Sequence, residues 1–377
     1  MGKTFDVLLL GLGAMGSAAA HHLARAGQTV LGLDRFTPPH TFGSSHGQTR
    51  IIREAYFEHP LYVPMVQRAY ELWADLEQET GTQLLLQTGG LMIGPPGSAV
   101  VTGARRSAEL HGLPHEVLHA HEVHRRFRAL AVEDGMVAVW EPRAGILFPE
   151  LCITAHLDLA RRNGATLRFE TTVLDWRSDA DGVLVKTRGE NFRARQMVIA
   201  AGAWAASLTP ELKLPLQVER QIQFWFEAKC SADEFTAARC PIHIWECANG
   251  ERYYGFPDLG TGVKVARHLA RQHGGASADP DRLLREVSEA EVVAMRSFIR
   301  RFLPNADGPP RHTAVCMYTN TPDEHFLLDW HPTHANVLIA SPCSGHGFKF
   351  SSVMGEIIRD LIFNRKSRFD LNLFRHR

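Results

Sequence analysis

Apolar positions open the chain as a short run over residues 5–10, broken only at Asp6, which reads as a buried strand. Gly11-Leu12-Gly13-Ala14-Met15-Gly16 follows, then an alanine-rich stretch over 17–26 whose helix Gly27 would cap. Residues 29–33 are a second apolar run, closed by Asp34. Strand, helix and strand make a βαβ unit of about 30 residues. Over 62–80 the period lengthens. Tyr62, Val66, Ala69, Trp73 and Leu76 alternate steps of four and three, which puts them on one inward stripe of an amphipathic helix that Gly81 stops. Residues 84–150 read as short strands around one polar, His-rich helical section, and 150–163 as a further helix with Gly164 as its cap.

Short runs at 166–169, 173–176 and 183–187 predict strands, with Asp181-Gly182 as a hairpin turn. Residues 197–201 are another buried-type strand, running into Gly202-Ala203-Trp204. Residues 215–268 are strand-rich, 281–302 predict a helix, and 337–340 predict a strand. Val353, Ile357, Ile358 and Leu361 mark a last amphipathic helix. The expected fold class is mixed α/β, with a Rossmann-like part interleaved with a strand-rich part of mixed sheet plus helices.

Composition removes several function classes. The 377 residues carry 41 Lys+Arg against 41 Asp+Glu, and this balance offers no cationic excess for displacing counterions from nucleic acid. No apolar run approaches the ~20 residues that span a bilayer. The first apolar run follows Asp6 and enters a Gly-rich turn, which is not a signal-peptide pattern. Six cysteines without C-x-x-C spacing fit neither a zinc knuckle nor a disulfide scaffold. The expectation is a soluble cytoplasmic protein. His111, His115, His119, His121 and His124 cluster in sequence but lack metal-ligand spacing, so no metal site is expected.

Gly11-x-Gly13-x-x-Gly16 between strand and helix is the dinucleotide pattern. The first glycine permits the turn, the second admits a pyrophosphate to the backbone, and the third lets helix pack on strand. Ala14 and Met15 then begin a helix whose free N–H groups face the phosphates. Asp34 can accept hydrogen bonds from a ribose diol, which disfavours a 2′-phosphate, although Arg35 stands next to it. The pattern alone leaves NAD and FAD open.

Three further segments are more specific: Gly43-Ser44-Ser45-His46-Gly47-Gln48-Thr49-Arg50-Ile51-Ile52-Arg53, the stretch from Cys316-Met317-Tyr318 to Phe326, and Ser344-Gly345-His346-Gly347-Phe348-Lys349-Phe350. With the glycine fingerprint, in this order and over essentially the whole chain, they resemble the monomeric sarcosine oxidase family, which includes N-methyltryptophan oxidase and pipecolate oxidase. The resemblance implies an FAD enzyme that oxidises secondary amino acids with oxygen and releases an imine and hydrogen peroxide. It also implies a monomer. It divides the chain into an FAD-binding domain, 1–85 with 146–215 and 312–377, and a substrate domain, 86–145 with 216–311.

Residue by residue, the resemblance implies a covalent link from Cys316 to the flavin, with Ser44, Thr49, Gly202, Met317, Gly345, His346 and Gly347 around the cofactor. Read without it, Cys316 is a core thiol like the other five. Arg53 and Lys349 would clamp the substrate carboxylate, a planar fork beside a point charge; the alternative is two surface ion pairs. Lys264, in Val263-Lys264-Val265, would supply the cation that helps oxygen accept an electron; the alternative is an outward lysine on a strand. Arg50 and His46 would flank the ring system, and His268, Tyr254 and Tyr318 would line the substrate cavity. Pro342-Cys343 departs from the Gly-Phe or Gly-Leu usual in the family. That departure opens the choice of substrate, and the 45–48 and 318–323 segments look more like the pipecolate branch. A flavin dehydrogenase with another acceptor and a non-catalytic FAD-binding protein are the alternative functions.

Overall fold

The computed structural model describes residues 4–268 and 277–376. The expected βαβ unit is present as β1 (Thr4–Leu10), α1 (Ala14–Arg25) and β2 (Val30–Leu33). β1 is buried on both sides because it is central: it pairs in parallel with β2 and with Asn191–Ile199. The sheet continues in parallel to Thr166–Arg168 on one side and to Val337–Ser341 on the other. Leu327–Trp330 adds an antiparallel edge, and a hairpin of Val173–Asp179 and Gly182–Thr187 pairs with the first half of Asn191–Ile199. The small residues of α1 bring the last helix, Ser351–Asn364, close: a Cβ at Gly355 would lie 2.7 Å from the Ala18 backbone.

A second eight-stranded sheet runs in the order Pro310–Asn320, Gln217–Phe226, Val263–His268, Arg252–Phe256, Ile242–Glu246, Gly90–Gly94, Val137–Glu141, Glu116–His119. Its only parallel pair is Ile242–Glu246 with Gly90–Gly94. Phe298 and Phe302 of the helix Glu289–Phe302 pack against Trp245 and Tyr253 on one face of this sheet. A small third sheet joins β3 (Arg50–Ile52) to Gly145–Leu147 and Leu85–Gln87. α2 (Tyr62–Thr80) has the expected limits, and Tyr62, Val66, Ala69, Trp73 and Leu76 are all buried. Gly81 closes it in the left-handed conformation, φ +67°.

Three elements differ from the sequence expectation. The 84–150 region contains two helices, Ala99–His111 and Ala120–Arg126, rather than one. Gly103 weakens the helical signal of the first, yet it is needed there: a Cβ would come within 2.3 Å of the Phe57 carbonyl oxygen. The helix expected over 281–302 begins at Glu289, where Ser288 and Glu291 form a reciprocal capping box. Pro310–Asn320 is a strand of 11 residues that was not expected. Among the described residues, no helix is long and apolar enough to cross a membrane.

Candidate functional site

The three fingerprint glycines separate by what surrounds them. A Cβ at Gly11, φ +91°, would meet the Ala200 carbonyl oxygen at 2.6 Å, and one at Gly16 would meet the Gly11 carbonyl oxygen at 1.8 Å. At Gly13 it would meet nothing within 4 Å. Two of the glycines are therefore required by protein packing, and the middle one leaves open space at the start of α1. That helix has no side-chain cap and no acidic residue in its first turn. Its N–H groups and positive end remain available to an anion. Asp34, at the end of β2, accepts the Leu12 N–H at 2.7 Å and the Phe36 N–H at 2.8 Å. Burial raises its pKa against these donors. Arg35 is half-exposed and pairs with Asp281 at 2.5 Å.

These residues line a cavity of about 360 Å³ that runs between the two large sheets. The first sheet and its turns contribute Gly11, Gly13, Ala14, Met15, Asp34, Arg35 and Gly202. The strand Pro310–Asn320 contributes Cys316, Met317 and Tyr318, and Tyr254 and His268 come from neighbouring strands of the second sheet. The loop before the last helix adds Gly345, His346, Gly347 and Lys349, and the 43–53 segment adds Ser44, Arg50 and Arg53. Gly16, His46, Thr49 and Lys264 do not line it. Thr49 and Lys264 instead border a separate small cavity of about 10 Å³.

Two basic side chains fasten segment 44–50, Arg50 from within it and Lys264 from the strand Val263–His268. Arg50 donates to the carbonyls of Thr49, Ser44 and His46 at 2.8, 2.7 and 2.6 Å. Lys264 is 1 % exposed, so it is not an outward lysine. Its Nζ donates to Gly47 O at 2.6 Å and to both oxygens of Thr49 at 3.0 Å, beside the Trp225 and Phe256 rings. Burial, with Arg50 nearby, holds its pKa well below the usual lysine value. His46 is buried too. Burial and then Arg50 bring its pKa down to about 3, so its ring is neutral.

Cys316 is buried on the cavity wall, and its Sγ accepts a hydrogen bond from Gln223 Nε2 at 3.2 Å. Arg53 and Lys349 are 2 % and 5 % exposed, which removes the surface ion-pair reading. Arg53 Nη2 meets both oxygens of Glu58, at 2.7 and 2.6 Å, and Nη1 donates to Ala55 O at 3.0 Å. Lys349 Nζ donates to His346 O at 2.7 Å and lies 3.4 Å from the Tyr56 hydroxyl. Burial, then Arg53, lowers its pKa to about 7. Burial alone would raise Glu58, but Arg53, His346 and Lys349 hold its carboxyl down at about 2. Opposite lie the Tyr254, His268 and Tyr318 rings, with His268 Nδ1 3.3 Å from the Tyr318 hydroxyl. Burial takes His268 down to about 3 and Tyr254 up to about 12, so both are neutral near pH 7.

The chain matches the family described as FAD dependent oxidoreductase over residues 6–361. The monomeric sarcosine oxidase of Streptomyces avermitilis is 44% identical over 375 residues, covering 99% of this chain and 97% of that protein. The N-methyl-L-tryptophan oxidase of Escherichia coli is 37% identical over 379 residues, covering 98% of each. The chain belongs to the monomeric sarcosine oxidase family of FAD-dependent amine oxidases. Its fold is shared more widely: an open form of NikD, an unusual amino acid oxidase, has a TM-score of 0.87 at 23% identity, covering 99% of this chain and 98% of that one.

The family's FAD fits the residues present. Open space at Gly13 beside an uncapped helix start suits a pyrophosphate, and the cavity joins that point to Cys316. Three residues in or beside this family site were absent from the sequence reading. Glu58 and Tyr56 follow Arg53 closely, but only the folded loop turns them back onto it and onto Lys349. Gln223 looks like one more position of an alternating strand, and its contact with Cys316 arises from strand pairing.

Proposed function

We propose that the protein oxidises the C–N bond of a secondary amino acid, N-methyl or cyclic, to an imine, and passes the electrons to oxygen as hydrogen peroxide. The observation that carries this reading is the pair of buried cations, Arg53 and Lys349, on the wall of the cavity that also holds the glycine fingerprint and Cys316. A buried cation requires an anion. Glu58 already answers Arg53, and one free carboxylate on a small substrate that displaces it would answer both cations.

Arg53 and Lys349 orient the substrate by its carboxylate. Tyr254, Tyr318 and the neutral His268 form a wall that excludes water and adds no positive charge to repel an amine. FAD, when bound, supplies the two-electron chemistry between substrate and oxygen. Arg50, held by three carbonyls, keeps a fixed positive charge at the wall where the ring system would lie. Lys264 and His46 lie behind that wall, and Lys264, a cation when protonated, is the group we assign to oxygen activation. Cys316 is the attachment point we assign to the flavin; its burial at the cavity surface and its hydrogen-bonded sulfur support this. Ser44, Thr49, Gly202, Met317, Gly345, His346 and Gly347 complete the cofactor's surroundings. Asp34 is its ribose contact, beside Ala14, Met15 and Arg35.

The two large sheets support the domain division of 1–85, 146–215 and 312–377 for FAD and 86–145 with 216–311 for substrate. The strand Pro310–Asn320 crosses it by pairing with the second sheet. Six unpaired cysteines suit the cytoplasm. The protein as a monomer completes the reading. A peroxide assay over sarcosine, N-methyltryptophan, pipecolate and proline tests it. Peroxide from at least one is expected, and none from any would refute it.

A further inference from the structure

Gln223 has no part in the proposed oxidation itself. It lies on the strand Gln217–Phe226, beside the strand that carries Cys316, and is 1 % exposed. Its Nε2 lies 3.2 Å from Cys316 Sγ and 3.4 Å from the His46 carbonyl oxygen. Its Oε1 is buried and has no hydrogen-bond partner. The His46 carbonyl decides which end of the amide is nitrogen, since the reversed amide would set oxygen against oxygen. The sulfur is therefore the acceptor.

An N–H aimed at sulfur favours the thiolate over the thiol. Two basic side chains hold the carbonyls around this amide. Arg50 Nη2 donates to the same His46 carbonyl at 2.6 Å, and Lys264 Nζ to the next carbonyl, Gly47, at 2.6 Å. The place of the amide is also reserved. A Cβ at Gly47, φ +99°, would lie 2.2 Å from Gln223 Oε1 and would drive the amide away from the sulfur.

We propose that Gln223 is a catalytic group for flavin attachment: its amide N–H holds the Cys316 sulfur and stabilises the thiolate that attacks. This rests on the reading of Cys316 as the attachment point. In the attachment, Sγ loses its proton and forms one C–S bond to the methyl carbon at ring position 8. That carbon loses one proton, and the two electrons released pass through the ring system to dioxygen, giving hydrogen peroxide.

The test uses the full chain, expressed under riboflavin limitation and then mixed with FAD in air. The yellow fraction that stays with acid-precipitated protein is followed in time. In parallel, the rate of Cys316 alkylation by iodoacetamide before FAD addition is measured against pH, read on the peptide that contains it. Gln223→Met keeps the shape and removes the donor. It is expected to slow attachment about tenfold or more, the effect of losing a hydrogen bond to a charged group. Its alkylation midpoint should rise by about one pH unit. Gln223→Glu places a negative charge by the sulfur and should do both to a larger extent. Non-covalent FAD binding by either variant shows that it has folded. Wild-type attachment rates and midpoints in the folded variants overturn the role of Gln223. A wild-type chain that never becomes covalently yellow instead overturns the attachment reading, while the alkylation midpoints still decide whether Gln223 acts on the sulfur.

Discussion

Glu58 grips Arg53: its two carboxylate oxygens lie 2.7 and 2.6 Å from one guanidinium nitrogen, Nη2, in a pair that is almost wholly buried. The guanidinium therefore already holds a carboxylate, and on the proposed clamp a substrate's carboxylate would have to take its place. Glu58→Gln weakens the competitor. We expect KM for carboxylate substrates to fall about tenfold, the equivalent of about 1.4 kcal/mol. The same change leaves a buried cation without its counter-charge. The substrate-free protein should lose about 3 kcal/mol, and a bound carboxylate should restore much of that. KM together with thermal unfolding, with and without a carboxylate ligand, checks both halves. An unchanged KM would show that Glu58 does not compete with substrate.

Lys349 would make the proposed clamp sensitive to pH. Burial and the neighbouring Arg53 bring its pKa to about 7. The ammonium is complete below that value and is lost above it, so the attraction for a carboxylate weakens as pH rises. A carboxylate without an amine isolates this effect from the substrate's own titration. Its inhibition constant should rise above pH 7, approaching about tenfold per unit. Lys349→Met should bind it more weakly and with no such slope. A slope that persists in Lys349→Met would assign the titration to another group.

The fingerprint glycines give opposite expectations. Gly16→Ala forces a Cβ to 1.8 Å from the Gly11 carbonyl oxygen, so the turn must open and stability must fall. Gly13→Ala meets nothing within 4 Å. Its flavin-free unfolding temperature should match wild type, while its affinity for FAD should fall because the methyl would stand where the pyrophosphate is proposed to approach. Calorimetry of the flavin-free chains and FAD titration separate the two. Equal losses in both variants would contradict the distinction.

Glu141 lies behind the clamp. Its Oε1 and Oε2 accept the Glu54 and Ala55 N–H groups at 2.6 and 2.8 Å. Burial outweighs these donors and brings its pKa to about 7. A carboxyl whose folded pKa is raised adds stability below its unfolded value, and that contribution is lost as pH rises through about 7. Glu141→Gln does not titrate. Its unfolding temperature relative to wild type should therefore become more favourable between pH 5 and pH 8. A difference that stays constant over this range would place the carboxyl's pKa outside it.

Local signals carried much of the fold. The glycine pattern marked β1, α1 and β2, and alternating steps of four and three marked α2 to its ends. Gly103 hid a helix because it serves a contact with Phe57 rather than the helix itself. Ser288-x-x-Glu291 was readable as a helix start, but the apolar pattern upstream of it was not a helix. Lys264 lies outside the main cavity, while Cys316, Arg53 and Lys349, which line it, stand on distinctive segments and were legible. Glu58 and Gln223 were not. One depends on how a loop turns back, and the other on a strand pairing that joins positions 93 apart in sequence. Neither has a local pattern.

Oxidation of a secondary amino acid with oxygen as acceptor can be followed in the visible spectrum of the purified yellow protein. An N-methyl or cyclic secondary amino acid is added without oxygen, and air is then admitted. Bleaching of the flavin absorbance is expected on substrate addition, and its return in air with one hydrogen peroxide per flavin. A flavin that no secondary amino acid bleaches, or one that bleaches and stays bleached in air, would contradict it.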